Sequence, residues 1–597
     1  MSWNRHRLGA RPNRLARCAL HLWIFSFQGE LMTRQIPFID IHTHLFNGRY
    51  LPLHGILRSW GVPRLTARAL TVLLVPLVGK SRFEYGPQSD DNQDDVIAAL
   101  EDGTVGRIHR TILKRLEKAM RKSAKSSLDD QSHAENLQDM MLALEDLYGQ
   151  YVNEKNTFTL SSNLLIQKSS EPDDTSDEPS ELLEQLDEIL MPAFLDAAHH
   201  AEGNGYFEGH DHGHDPHSAD ADLDGFGNKA FPAQQAGTLL KMLIFFLSMF
   251  LSERNRYRAL QRDYARNKPA DGYDPEHLIS LLPDMRRAYE RVIDGSPKKP
   301  YFSASTQVAR TVSLSKETDG VIIPFGTVDP FRGHGWKTNV RHAQNLGVTH
   351  FKIYPPMGFR PISRLHDSED PIFAPIELSP APEYREYVKQ IKVKNEPETE
   401  RAMADIIRYF SENDLGLFTH CTPLGFEARE GFGVNCHPAF WASAMEEYAA
   451  TDLRLCLGHG GGATNVDFGG WLAEEEDWPK TMAYRGLLMC RTYRNVYMGL
   501  GYLIPLLKSA GRDKILKRLR SVFKQEDPAL RGGHAIKTKL IFGTDWSMPQ
   551  MIGETRSFLN VFLEFFEHPD FQNPELCISD APELIMSGNA KAYLGID

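Results

Sequence analysis

From residue 276 to the C-terminus the chain repeats one pattern: a short apolar run, a turn, then an amphipathic segment. The runs are "HLISLLPDM", "GVIIPFGTVDP", "THFKIYPP", "LGLFTHCTP", "LRLCLGHGGG", "RNVYMGLG" and "KLIFGTDWSMP". Each is rich in β-forming residues, nearly continuous in hydrophobicity and closed by Gly or Pro, which predicts strands buried on both faces of a parallel sheet. Between them, "ETERAMADIIRYFSEN" places Met403, Ile406, Ile407 and Phe410 on one helical face, and "PAFWASAMEEYAA" and "TRSFLNVFLEFFEH" behave similarly. "IPFIDIHTH", near the N-terminus, reads as one further strand. Eight strands alternating with helices predict an α/β fold, a (β/α)8 barrel of the TIM type.

The irregular feature is the interval between the first and second strands, roughly 230 residues where one helix and two loops suffice. The expected division is an N-terminal extension (1–35), the first barrel strand (36–48), a mostly helical insertion (49–275) and the remainder of the barrel (276–597). Helical patterns such as "HAENLQDMMLALEDLYGQYV" and "LLEQLDEILMPAFLDAAHH" fill the insertion. Because it follows a strand, it is expected on the C-terminal face of the barrel, as a cap over the mouth. Its most apolar stretch, "LLKMLIFFLSMFL" (239–251), is about 13 residues long and carries Lys241, whereas a bilayer span takes ~20. A buried helix is expected there and no stable membrane insertion, with a subunit interface in a homo-oligomer as the other use. The N-terminal "MSWNRHRLGARPNRLARCALHLWIFSFQ" mimics a targeting peptide, but His21 interrupts its apolar run and no A-x-A-like site follows. A start at Met32 is the blander explanation and points to the cytoplasm.

Composition adds exclusions. A hydrophobic share of 41% is that of an ordinary globular chain. The net charge of −12 argues against a general nucleic-acid binder. Residues 169–228 hold seventeen Asp and Glu and no Lys or Arg, so the acidity is concentrated in one solvated loop. The six cysteines are scattered without a Cys-x-x-Cys pair, which suits a reduced compartment and neither a disulfide scaffold nor a zinc ribbon.

Candidate chemistry gathers at the ends of the apolar runs. His42 and His44 close "PFIDIHTH"; two apart on a strand, they share a face and point both imidazoles into the mouth of a barrel. Such a pair is half of a catalytic zinc site, against the alternative of two packed core histidines. His420 closes "LGLFTH", His459 closes "LRLCLGH", Asp545 closes "KLIFGTD", and Lys352 lies in "FKIYPP". Each alone is weak. Together they place ligand-type residues at the C-terminal ends of distant strands, which a barrel brings to one point.

These motifs, "FIDIHTH", "FKIYPP", "FTH", "GHGGG", "FGTDW" and "SGNAKAYLG", together resemble the amidohydrolase superfamily, and most of all its amidohydrolase-related branch of metal-dependent hydrolases and decarboxylases. The resemblance covers residues 36–48 and about 276–597. It implies one divalent metal, Zn2+ first, with Mn2+, Fe2+ or a binuclear site as alternatives. His42, His44, His420 and Asp545 would hold it, and His459 would act nearby as a catalytic or orienting group. Lys352 is then either a bridging ligand to a second metal, a substrate contact or a structural ion pair. A metal there makes water nucleophilic near neutral pH, and Asp545 is the expected general base. Hydrolysis of a C–N or C–O bond in a small, carboxylate-bearing substrate is the first expectation and non-oxidative decarboxylation the second. Arg332 and Arg360 are candidate carboxylate clamps and Trp546 a candidate pocket wall. The "GHGGG" glycines are expected to permit a tight turn, since no P-loop lysine follows.

Two further segments compete for metal. "HHAEGNGYFEGHDHGHDPH" packs six histidines into residues 199–217, and "DADLDG" opens like a calcium loop but has Phe231 where the closing Glu should stand. If they were the functional part, the chain would be a non-catalytic metal-handling or scaffolding protein; a full set of barrel ligands favours the enzyme.

Overall fold

Why the apolar runs become strands is visible in a computed structural model that describes residues 37–46, 48–52, 54–56, 253–266, 275–292, 303–378, 384–423, 425–462, 470–507, 509–548 and 558–596. The N-terminal extension, most of the expected insertion, the acidic and His-rich loop and the apolar 239–251 stretch lie outside the described residues. Each run supplies a short parallel strand: β1 (Phe38–Thr43), β2 (Pro275–Ser280), β3 (Ile322–Pro324), β4 (Gly326–Thr327), β5 (His350–Ile353), β6 (Gly416–Thr419), β7 (Arg454–Leu457), β8 (Val496–Gly499) and β9 (Leu540–Ile541). They form two parallel sheets, β1-β2-β3 and β4-β5-β6-β7-β8-β9.

One run departs from expectation. "GVIIPFGTVDP" is two strands, β3 bonded to β2 and β4 bonded to β5. Pro324 brings no N–H to the ladder, and Phe325 makes the last bond to the β2 side, donating its N–H to Ser280 O at 3.2 Å. From Gly326 onward the chain pairs with its other neighbour. At the opposite edges, Ile41 N–H donates to Phe542 O (3.2 Å) and Asp545 N–H to His42 O (2.8 Å), so hydrogen bonds also join β1 to the segment leaving β9.

Two layers of apolar side chains result. Ile39, Ile41, Ile279, Leu281, Phe325, Phe418, Cys456, Tyr497 and Ile541, drawn from strands of both sheets and the residues beside them, pack on one another and on Tyr593 near the C-terminus. The alternate positions, such as Phe38, Leu278, Phe351, Leu417 and Leu455, pack against the helices. The helices follow the strands in order: α1 (Glu253–Arg266), α2 (Ala304–Glu317), α3 (Gly335–Asn345), α4 (Pro397–Glu412), α5 (Pro438–Glu447), α6 (Met482–Thr492), α7 (Ser509–Lys524) and α8 (Phe558–Phe566). In α4 the buried face includes Met403, Ile406, Ile407 and Phe410, as the periodicity predicts. Among the described residues no helix is long and apolar enough to cross a membrane.

α1 falls within the interval 49–275, and its side chains are bonded to β1 and its surroundings. Arg256 Nη2 donates to His44 O at 2.6 Å and to Ser547 Oγ at 2.7 Å, and Tyr264 donates its hydroxyl to Asp40 Oδ2. Glu253 at the start of α1 forms a two-pronged ion pair with Arg310 of α2, Nε to Oε1 at 2.9 Å and Nη2 to Oε2 at 3.0 Å.

Candidate metal centre

The site begins with an irregularity in β1. Asp40 pairs with Leu278 and Thr43 with Ser280, so β1 spends three steps where β2 spends two. This one-residue bulge turns the strand between Asp40 and Thr43, next to two inward-facing isoleucines. His42 and His44 thereby face Asp545, with Nε2 of each at 2.9 and 3.0 Å from Asp545 Oδ1. Sequence alternation anticipates that both histidines share a direction; the bulge that sets this direction is not legible in the pattern.

These three residues are buried and bring one potential ligand atom each within 4.8 Å of one another. The His42–Asp545 contact lacks hydrogen-bond alignment: His42 Nε2 and Asp545 Oδ1 are both buried without a hydrogen-bond partner among the described residues. Atoms around a tetrahedral ion bound at ~2.0–2.1 Å lie roughly 3.3 Å apart, so the observed separations are close to those of co-ligands. His44 is oriented from its other ring nitrogen. Its Nδ1 lies 3.2 Å from Leu281 O and donates there, which turns Nε2 toward Asp545. The donor set therefore fits a divalent metal.

The electrostatics agree with that chemistry. Burial alone would raise the Asp545 carboxyl, but the imidazoles of His42 and His459 outweigh it and hold the acid well below the usual carboxylate range. Burial pushes His42 down to about 3, with Asp545 opposing, and drives His459 well below its ordinary value, aided by His420 and His42. His42 is thus neutral and Asp545 ionised at neutral pH, the states in which the two ligate.

His420 and His459 extend the cluster sideways. The His459 ring lies 4.6 Å from His42 and 4.4 Å from His420, while His420 lies 4.5 Å from Tyr354. His420 is thus placed one imidazole away from the converging trio, not within it. Lys352 Nζ is buried, 4.5 Å from the Phe418 ring centre, and has neither an ion pair nor a hydrogen-bond acceptor among the described residues. Burial lowers its pKa to about 7 against the pull of Asp545.

The expected clamps are placed otherwise. Arg332 donates from Nε to Asp284 Oδ2 at 2.6 Å. Arg360 is 1% exposed and spends its guanidinium on Ile391 O, Gln390 O and Asn435 Oδ1, with its face 4.5 Å from the Phe440 ring centre. It crosslinks the fold and presents no free fork to a carboxylate. Trp546 is buried in the core beneath Arg256. In "GHGGG", Gly461 adopts φ 83°, and a β-carbon there would stand 2.2 Å from Ala483 N, so close packing on α6 explains it as a turn residue.

Some participants escape sequence reasoning. Asp40, a carboxylate inside an apolar strand, accepts from His42 N, Thr544 N, Thr544 Oγ1 and Tyr264 Oη, tying β1 to the Asp545 turn. Burial pushes it up to about 6 despite those donors. Tyr354 directly follows β5 and Tyr502 lies in the turn after β8, its ring 6.4 Å from that of His459, and their positions beyond strand ends are the signal that could have found them. Glu427 lies in the loop after β6. Its Oε1 accepts from Gly433 N (3.0 Å) and Tyr387 Oη (3.2 Å), while Oε2 is buried without a partner among the described residues.

Burial raises Glu427 to about 8 against those hydrogen bonds. The folded value lies above the unfolded one, so the group costs nothing below pH 4 and destabilises progressively as pH rises toward 8. Relative to Glu427→Gln, the wild type should lose roughly 3–5 kcal/mol between pH 5 and 8 in urea titrations. Parallel pH profiles for the two proteins would show that this carboxyl ionises freely.

No known family model matches the chain, and no curated protein matches it. Several solved structures are similar to it. An uncharacterised TIM-barrel protein of Bordetella bronchiseptica is 13% identical, with TM-score 0.31, over 54% of this chain and 78% of that one. A putative amidohydrolase of Staphylococcus aureus is 10% identical, with TM-score 0.31, over 60% and 96%. 5-Carboxyvanillate decarboxylase of Sphingomonas paucimobilis is 14% identical, with TM-score 0.28, over 58% and 84%.

Proposed function

We propose that this chain is a metal-dependent hydrolase of the amidohydrolase type, built on a closed (β/α)8 barrel and cleaving a C–N or C–O bond in a small, carboxylate-bearing substrate. The observation that carries this is the convergence of His42, His44 and Asp545, three buried ligand-type residues from opposite ends of the chain, on one point. Closure of the barrel is supported by the hydrogen bonds from β1 to the segment after β9 and by the inner apolar layer contributed by both sheets.

His42, His44 and Asp545 would hold the ion, with Zn2+ the first choice for a mixed nitrogen and oxygen set. When bound, the metal supplies Lewis-acid activation of water and of a substrate carbonyl. Asp545 keeps its carboxylate ionised through its imidazole neighbours and is the group able to accept a proton there. Neutral His459, packed between His42 and His420, orients both rings. Lys352 Nζ, buried without an acceptor among the described residues, suits a substrate carboxylate. The same feature serves non-oxidative decarboxylation, the second reading.

The test is metal analysis of protein with and without residues 199–217, followed by assays on amides, lactones and aromatic carboxylic acids. About one metal per chain should survive the deletion, and turnover should require it. Complete loss of metal on deletion would move the metal to the His-rich segment and remove the proposed function.

A further inference from the structure

We propose that Tyr354 is a catalytic residue of this centre, its hydroxyl donating a hydrogen bond to a carbonyl or carboxylate oxygen of the substrate; the inference rests on the metal-centre reading above. Tyr354 leaves β5 two residues beyond Lys352, so strand alternation puts both side chains on the inner face. Its ring lies 4.5 Å from that of His420 at an interplanar angle of 43°. Phe426 N–H donates to Tyr354 Oη at 3.2 Å, which uses the oxygen as an acceptor and leaves the phenolic proton to be given away. Among the described residues that proton has no acceptor, although the residue is only 8% exposed. A buried donor left unmet is a deficit that an incoming oxygen atom removes.

The backbone at Gly425 approaches both rings of this corner. A β-carbon there would stand 2.9 Å from Tyr354 Oη and 2.9 Å from His420 Nε2, so only glycine lets the chain pass this close to the phenol and the imidazole together. Gly425 also has φ +139°, a conformation that disfavours any replacement. Donation there would stabilise charge growing on the substrate oxygen, with the proton remaining on the phenol throughout.

Acetohydroxamate, a small oxygen-rich metal binder, is the probe. Calorimetric titration of the zinc-loaded wild type and Tyr354→Phe, with metal content and urea midpoint measured on the same samples, reads the contribution of the hydroxyl alone. The expected result is equal metal content, a nearly unchanged midpoint and about tenfold weaker probe binding in the variant. In the metal-free proteins, probe binding should be weak and equal. Full metal content with equal, or equally absent, probe affinity would overturn this inference alone. A wild type that takes up no metal would overturn the metal-centre reading and this inference with it.

Discussion

Replacing Asp545 with Asn is expected to strip the centre of metal and lower turnover by on the order of 10³-fold. A single oxygen, Asp545 Oδ1, stands 2.9 Å from one imidazole and 3.0 Å from the other, so this atom gathers the site. Asn keeps the shape but exchanges the negative charge for a neutral amide, which neither balances a divalent ion nor accepts a proton. The backbone should tolerate the change. Asp545 sits at φ 63°, a left-handed conformation in which Asn is among the least strained of side chains, and the Asp545 N–H bond to His42 O does not involve the carboxylate. Loss of metal with an unchanged far-ultraviolet spectrum is therefore the expected pair of observations. Retention of full metal content and turnover would remove Asp545 from the chemistry.

Arg310→Met should cost about 3–5 kcal/mol of folding stability, because it leaves the Glu253 carboxylate buried without its principal counter-charge. The two side chains are 7% and 5% exposed, too dry for solvent to compensate. The double variant Glu253→Gln, Arg310→Met should recover a large part of that loss, since no charge remains to be solvated. The effect should reach the metal centre. Glu253 anchors the helix from which Arg256 holds the carbonyl of His44, so metal affinity in Arg310→Met should fall about 10-fold or more, read by competition with a chromophoric chelator. Equal urea midpoints for wild type and Arg310→Met would show that the pair contributes nothing net.

Much of this was legible in the sequence where hydrophobic spacing dictates the outcome. The strand runs follow from their nearly continuous hydrophobicity and the buried face of "ETERAMADIIRYFSEN" from period 3.6, and His42, His44 and Asp545 could be placed because each closes such a run. What stayed hidden depends on partners remote in sequence. The break at Pro324 concerns which neighbour supplies the next hydrogen bond, and a continuous apolar run carries no mark of that choice. Arg360 looks like a carboxylate clamp until its carbonyl acceptors, about 30 residues away, are known. Arg256 and Asp40 were missed for the same reason: a charged residue in a strand or helix reveals burial only once its partners are assembled.

Tyr50 donates its hydroxyl to Glu253 Oε1 at 2.7 Å, although 203 positions separate the two along the chain. The two described ends of that interval are therefore bonded to each other. The entropy of bringing two such distant positions together grows only slowly with their separation, so the tie is nearly indifferent to the length of the interval. It holds Glu253 at the start of the helix whose Arg256 bonds the carbonyl of His44, and so keeps that histidine's backbone in place.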